Sequence, residues 1–352
     1  MPGFAGTIHL FRAFEFGYIA PAIFALMTFE FTPAPGFSFL KSFSEKFKIP
    51  VHNNRLILPE TMGEGCIRMV DMVAPFKLFI HRYKTKEEFV FRRVAPQVWL
   101  DNITFIFYST VFPESTLSNR THEQFTLHRK SSAIEISSND LNSTVRFPAG
   151  TDIYFTVVGI NRSTLLEFIG IEKANHLLDI MNSKDRTFLF HEDMTPDVEK
   201  LLRQISEISE QNELANFLYK IKVEELLYLL FDKLLKRANE KHRIINKNDI
   251  DKLYGVRAAV LNDLSIPPQL PALAKTAGMS ETKLKQLFKQ VFGDTIYNYY
   301  QKARMAEAAF LLKQAYAVSE VGYQMGFRSL SHFSKVFQDH YGVTPKKYAT
   351  VG

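Results

Sequence analysis

One short pattern is written twice near the C-terminal end of the chain, and no other feature restricts the fold as tightly. Ala277-Gly278-Met279-Ser280 leads to Leu284, Phe288, Phe292-Gly293 and Thr295. Met325-Gly326-Phe327-Arg328-Ser329 leads to Phe333, Phe337, Tyr341-Gly342 and Thr344. From Ser280 and Ser329 onward the matched residues stand 49 positions apart, whereas Gly278 and Gly326 are 48 apart, so the second turn carries one extra residue. Such self-similarity marks one small supersecondary unit used twice. A short apolar-periodic stretch, a glycine turn, a serine cap and a second periodic stretch are the parts of a helix-turn-helix.

Each copy resolves into a supporting and a reading helix. In the first, Leu270, Leu273, Ala274 and Ala277 follow i, i+3, i+4, i+7 spacing, one face of a short helix. Gly278 supplies turn freedom, and Ser280 is a good N-cap for the reading helix. That helix is expected to bury Leu284, Leu287, Phe288 and Val291 and to present Thr282, Lys285, Gln286 and Lys289 on the opposite face. Lys and Gln suit guanine and adenine edges in a major groove, while Lys289, further along, suits a phosphate. In the second copy Val318, Val321, Gly322 and Met325 form the support, Ser329 the cap, and Phe333, Val336 and Phe337 the buried face. Ser331, Ser334, Lys335 and Gln338 point outward with His332 at the edge, a less basic reading face than the first.

A helix capped by Thr295 and running to Lys313 joins the copies, with Ile296, Tyr299, Tyr300, Ala303, Ala306 and Phe310 expected inward. At 1.5 Å per residue it is about 28 Å long, comparable to the roughly 34 Å turn of B-DNA. A rigid connector of that length can hold two recognition helices near successive major grooves. The charge agrees with a nucleic-acid partner: residues 254–352 hold 12 of the chain's 43 Lys and Arg but 6 of its 37 Asp and Glu, so the net charge of +6 sits in the repeat-bearing segment. The other 31 basic and 31 acidic residues cancel within residues 1–253. A basic segment attached to a neutral one is what phosphate neutralisation asks for.

The rest of the 352 residues leaves room for a second core. With 46% hydrophobic and 23% charged residues, intrinsic disorder is excluded as the general state. Cys66 is the one cysteine, so there is no intramolecular disulfide framework and no thiolate zinc set, which fits a reducing compartment and a cytoplasmic protein. Residues 55–160 read as strands: 66–70, 76–80, 88–92, 103–108 and 153–158 are rich in β-branched and aromatic residues between turn formers. That density suggests a sandwich or barrel able to enclose a small molecule. From Thr195-Pro196 the period turns helical, with Leu201, Leu202, Ile205 and Ile208 on one stripe. A longer pattern holds Leu214, Phe217, Leu218, Ile221, Leu227, Leu230, Phe231 and Leu234. These stripes are broader than a coiled-coil seam, so packing on the same chain is expected, with dimerisation as the alternative. The apolar stretch 16–29 has 14 residues and is broken by Pro21. It falls short of the roughly 20 needed to span a bilayer and lacks the basic start of an export signal.

The C-terminal residues also carry a family pattern: Leu273-Ala274, Ala277-Gly278-Met279-Ser280, Leu284, Phe288-Lys289, Phe292-Gly293 and Tyr299, then Arg304, Ala308, Leu311-Leu312, Val318, Val321-Gly322, Gly326-Phe327, Ser329, Phe333, Phe337, Gly342, Thr344-Pro345 and Tyr348. On these, residues 254–352 resemble the DNA-binding domain of the AraC/XylS family of bacterial transcription regulators. The resemblance implies that the first recognition helix, through Thr282, Lys285 and Gln286, dominates specificity, and that Ser331, His332, Ser334 and Lys335 lie at or near DNA. It also implies that the β-rich half senses a signal or dimerises. The expected division is 1–50 an N-terminal extension of uncertain structure, 51–240 a β-rich barrel- or sandwich-like sensor ending in two helices, 241–253 a linker, and 254–352 an all-α domain of two helix-turn-helix units. A double-stranded DNA operator, RNA polymerase, a small-molecule effector and a second copy are the expected partners; no cofactor or metal is expected.

Two rival classes leave recognisable marks. A DNA-repair or other enzyme carrying this domain needs an activated cysteine, and Cys66, in Gly63-Glu64-Gly65-Cys66-Ile67, has no local His. A metal-sensing barrel needs clustered ligands, and His52, His81, His122 and His128 show no such spacing. Arg92, Arg93, Trp99 and Tyr108 suit an anionic or sugar-like effector pocket, and suit a barrel surface equally.

Overall fold

Period-two alternation of apolar residues places the first half of the chain in strands. The computed structural model describes residues 27–72, 76–98, 101–111, 130–170, 176–183, 187–209, 211–237 and 245–350. In order, β1 (Met27–Phe31), α1 (Phe39–Phe47), β2 (Val51–His52), β3 (Arg55–Ile57), β4 (Gly63–Val70), β5 (Phe76–Thr85), β6 (Phe89–Arg93), β7 (Asn102–Val111), β8 (Lys130–Ser138), β9 (Ser143–Phe147) and β10 (Asp152–Asn161) are followed by α2 (Arg162–Ile169), α3 (His176–Asn182), β11 (Leu189–Asp193), α4 (Pro196–Glu207) and α5 (Ala215–Arg237). The five strand runs expected from sequence fall in β4, β5, β6, β7 and β10.

These strands make a sandwich of unequal layers. The large sheet has the order β11-β8-β7-β10-β5-β4-β3-β2, the small one β1-β6-β9. On β5 the even residues Phe76, Leu78 and Ile80 face α4 and α5 in one core, which also takes Phe105, Phe107, Ile136, Val158, Leu201, Ile205, Leu227 and Leu230. The opposite face, with Tyr83, Tyr108 and Phe155, meets Phe29, Phe43, Phe89, Phe91 and Phe147 in a second, aromatic core. Residues 27–50 thus supply β1 and α1 to the sandwich, and the β-rich half starts before position 51. Residues 1–26, including most of the apolar stretch at 16–29, lie outside the described residues.

The expectation that α4 and α5 pack on their own chain holds for Leu201, Leu202, Ile205, Leu227, Leu230, Phe231 and Leu234, all buried against the sheet. Leu214, Phe217 and Ile221 do not join them: they are 65%, 62% and 40% exposed. The broad apolar pattern at 214–234 is two stripes, and only one of them meets the sheet.

The remaining helices are α6 (Lys247–Asn262), α7 (Leu270–Ala277), α8 (Glu281–Phe292), α9 (Ile296–Lys313), α10 (Val318–Gln324), α11 (Leu330–Tyr341) and α12 (Pro345–Thr350). They build two cores. One joins α6, α7, α8 and the start of α9 through Leu253, Ala274, Leu284, Phe288 and Tyr300; the other joins the end of α9 to α10 and α11 through Met305, Leu312, Val321, Phe333 and Phe337. Serving two cores turns the buried face around α9. Ala306, expected inward, is therefore exposed, while Arg304 and Met305 are buried.

The first of these cores also contains Leu141 and Leu189 from the β-rich half. The small sheet has three strands against eight. Near β8 and β11 the inner face of the large sheet extends past it, and the first helical unit packs there, α8 against β11.

Candidate nucleic-acid interface

The two reading helices are built alike. Ser280 Oγ accepts from Lys283 N at 3.3 Å and Ser329 Oγ accepts from His332 N at 3.4 Å. These caps satisfy orphan N–H groups and start α8 and α11 at equivalent places. Gly278 ends α7 with φ +59°, a left-handed conformation that an L side chain rarely adopts. In α8, Leu284, Leu287, Phe288 and Val291 are buried, which rolls Thr282, Lys285 and Gln286 outward to solvent; Lys289 is half-buried. In α11, burial of Phe333 and Phe337 leaves Ser331, His332, Lys335 and Gln338 exposed and Ser334 half-buried. The His332 ring rests edge-on against Phe327, centroids 5.5 Å apart.

Several cations in this region have structural partners. Lys283 pairs with Asp249 of α6 at 2.9 Å, tying the reading helix to the helix beneath it. Lys302 of α9 pairs with Asp294 at 2.8 Å and with Asp193 of β11 at 3.2 Å. Arg304 donates from Nε to the Met325 carbonyl at 2.7 Å, and its guanidinium lies 3.7 Å from the centre of the Phe327 ring. That pins the connecting helix to the turn of the second unit. Arg328, just ahead of the Ser329 cap, is exposed and was not singled out by the periodicity, because it lies before the helix begins.

Of the residues suited to an effector pocket or a barrel surface, Arg92 and Arg93 do not converge. Arg92 and Arg93 are consecutive on β6 and so point to opposite faces. Arg92 is exposed beside Glu30 at 3.3 Å, whereas buried Arg93 donates to the Leu141 carbonyl at 3.2 Å and to Ser137 Oγ at 3.4 Å. Tyr108 is buried among aromatic rings, and Trp99 lies outside the described residues. Cys66 is half-buried on β4, paired in register with Ile57 and Arg82. His52 and His81 lie on different strands, His122 and His128 lie outside the described residues, and no metal-binding group of His, Cys, Asp or Glu occurs among those described. Among the same residues no helix is long and apolar enough to cross a membrane.

The fold and exposed faces define a class: a β-sandwich domain followed by paired helix-turn-helix units on one connecting helix. A family model described as a helix-turn-helix domain matches residues 273–350. The HTH-type transcriptional activator RhaR of Cronobacter sakazakii is 36% identical over 90 residues, 25% of this chain and 32% of its own length. The chain therefore spans less than half the length of the curated relatives it matches. Among solved structures, a regulator with an AraC-type DNA-binding domain from Chromobacterium violaceum is 28% identical, with 30% of this chain and 95% of that one covered and a TM-score of 0.28. ToxT from Vibrio cholerae is 17% identical, with 79% and 98% covered and a TM-score of 0.29. Residues 273–350 of this protein thus match a helix-turn-helix domain and are similar to the corresponding part of a transcriptional activator.

Proposed function

We propose that the protein is a sequence-specific transcription regulator, an activator working in the cytoplasm without catalysis. The observation that carries this reading is the simultaneous exposure of two capped reading faces, Thr282, Lys285 and Gln286 on α8 and Ser331, His332 and Lys335 on α11, with α9 rigid between them. At 18 residues α9 is about 27 Å long, which suits two adjacent major grooves of an operator. Thr282, Lys285 and Gln286 read bases in the first; Ser331, His332, Ser334 and Lys335 contact the second; Lys289 neutralises phosphate. Residues 27–237 act as sensor and residues 247–350 as reader, with RNA polymerase as the downstream partner and a small molecule as the signal. Phe217, Ile221 and Tyr228 on α5, with Leu214 just before it, form an exposed apolar stripe, the surface through which a second copy docks.

Selection of operators from random duplex DNA by the full chain tests the reading. Lys285→Ala and Gln286→Ala should change which bases are preferred, by about 1–3 kcal/mol at the positions they contact. Lys289→Ala should weaken all sites alike and reduce the salt slope by about one. Equal binding of one selected site by all three variants would remove these residues from the interface.

A further inference from the structure

The docking of the first helical unit on the sensor sheet centres on one buried carboxylate. Glu135 on β8 is 2% exposed and stands opposite Ile106 and His191 on the neighbouring strands. Its Oε2 accepts a hydrogen bond at 3.3 Å from the Tyr254 hydroxyl of α6. Tyr254 packs against both the aromatic core of the sandwich and the core of the first unit. Its ring lies 6.1 Å from that of Phe292 in the last turn of α8, and Phe292 in turn lies 5.9 Å from His191 of β11. A continuous line of contacts thus runs from the sensor sheet through Tyr254 and Phe292 into the first reading helix. The second unit differs: its core draws its buried residues from 305–337 and contains none from the sheets.

Two facts decide what this contact does. The sensor meets the C-terminal end of α8 and leaves Thr282, Lys285 and Gln286 exposed, so it orients the helix without covering its reading face. A buried carboxylate without its donor costs far more than an exposed one, so the junction has one strongly preferred arrangement. Burial pushes the Glu135 carboxyl up, while nearby Arg93, the Tyr254 hydroxyl and Arg257 oppose the rise.

We propose that Glu135 and Tyr254 are positioning residues for DNA reading: their hydrogen bond holds α8 in its reading position on the sensor sheet, so that the sensor half acts on the half-site read by the first unit and not on the second. This rests on the DNA-reading function proposed above.

The test uses the full chain and a duplex carrying the site that the wild-type chain selects, with each half-site scrambled in turn. Tyr254→Phe removes one hydroxyl and leaves the ring packing in place. It should lower affinity for the intact duplex about fivefold or more, by the same factor when the second half-site is scrambled, and by nothing when the first is. Glu135→Ala should cost at least as much, because it also takes the carboxylate away from Arg93 and Arg257, and the double variant no more than Glu135→Ala alone, because the hydrogen bond is already lost. Should Glu135→Ala fail to fold, the half-site comparison with Tyr254→Phe decides alone. Affinity within twofold of wild type, a gain in affinity, or an equal loss on both half-sites would overturn the positioning role. A wild-type chain that enriches no sequence would remove the DNA reading and this role together.

Discussion

His81 and Phe155 lie stacked on paired strands of the large sheet, ring centroids 3.9 Å apart, with Phe39 and Phe91 edge-on to the imidazole. The His81 Nδ1 is buried with no hydrogen-bond partner, and burial lowers its pKa from 6.5 to about 3. The folded protein therefore holds His81 neutral, whereas the unfolded chain takes up a proton near its ordinary value. Stability from this residue is complete above pH 6.5 and is lost as pH falls towards 3, at up to about 1.4 kcal/mol per unit. Replacing His81 by Phe should flatten the fall in unfolding free energy between about pH 6 and pH 5, measured by chemical denaturation. Parallel slopes for wild type and variant would contradict it. In sequence His81 was one of several scattered histidines. Its neutrality follows from aromatic neighbours contributed by α1, β6 and β10, which no local pattern discloses.

At the scale of elements the two turns of the repeat share a glycine and are unequal in space. A Cβ on Gly278 would find Lys252 Nζ at 3.7 Å, an ordinary contact, so the cost of a side chain there is the left-handed backbone alone, about 1–2 kcal/mol. A Cβ on Gly326, at φ +75°, would overlap the Ser265 carbonyl oxygen in the loop between α6 and α7. Backbone cannot yield as a side-chain tip can. Gly326→Ala should cost at least about 3 kcal/mol, against about 1–2 kcal/mol for Gly278→Ala, in thermal or denaturant unfolding of the full chain. Comparable losses would mean that the contact with Ser265 is not kept. Periodicity located both reading helices because their apolar faces pack within their own unit. It misplaced Ala306 because α9 serves two cores, and a helix buried on changing faces has no single stripe to read.

The whole molecule is a sandwich whose uncovered sheet edge is completed by the first helical unit, and whose outer helix α5 carries an apolar stripe facing solvent. If that stripe joins two copies, Phe217→Glu should turn a dimer into a monomer in analytical ultracentrifugation and leave the melting temperature of the monomer nearly unchanged, since Phe217 is 62% exposed. A wild-type chain that sediments as a monomer, or a variant that stays dimeric, would refute this use of α5.

Sequence by itself determined the elements whose partners are near in the chain. Caps at Ser280, Thr295 and Ser329, the buried faces of α8 and α11 and the strands β4, β5, β7 and β10 all follow from spacings of a few residues. It also located the positive charge. Tertiary structure alone decided that Arg92 and Arg93 share no pocket, that Leu214, Phe217 and Ile221 face away from the sheet, and that Tyr254 meets Glu135 across 119 positions of sequence. Those outcomes depend on which surfaces remain uncovered once the sheets have closed. Hydrophobic burial is not directional, so the apolar pattern states that a residue will be covered and leaves open by what.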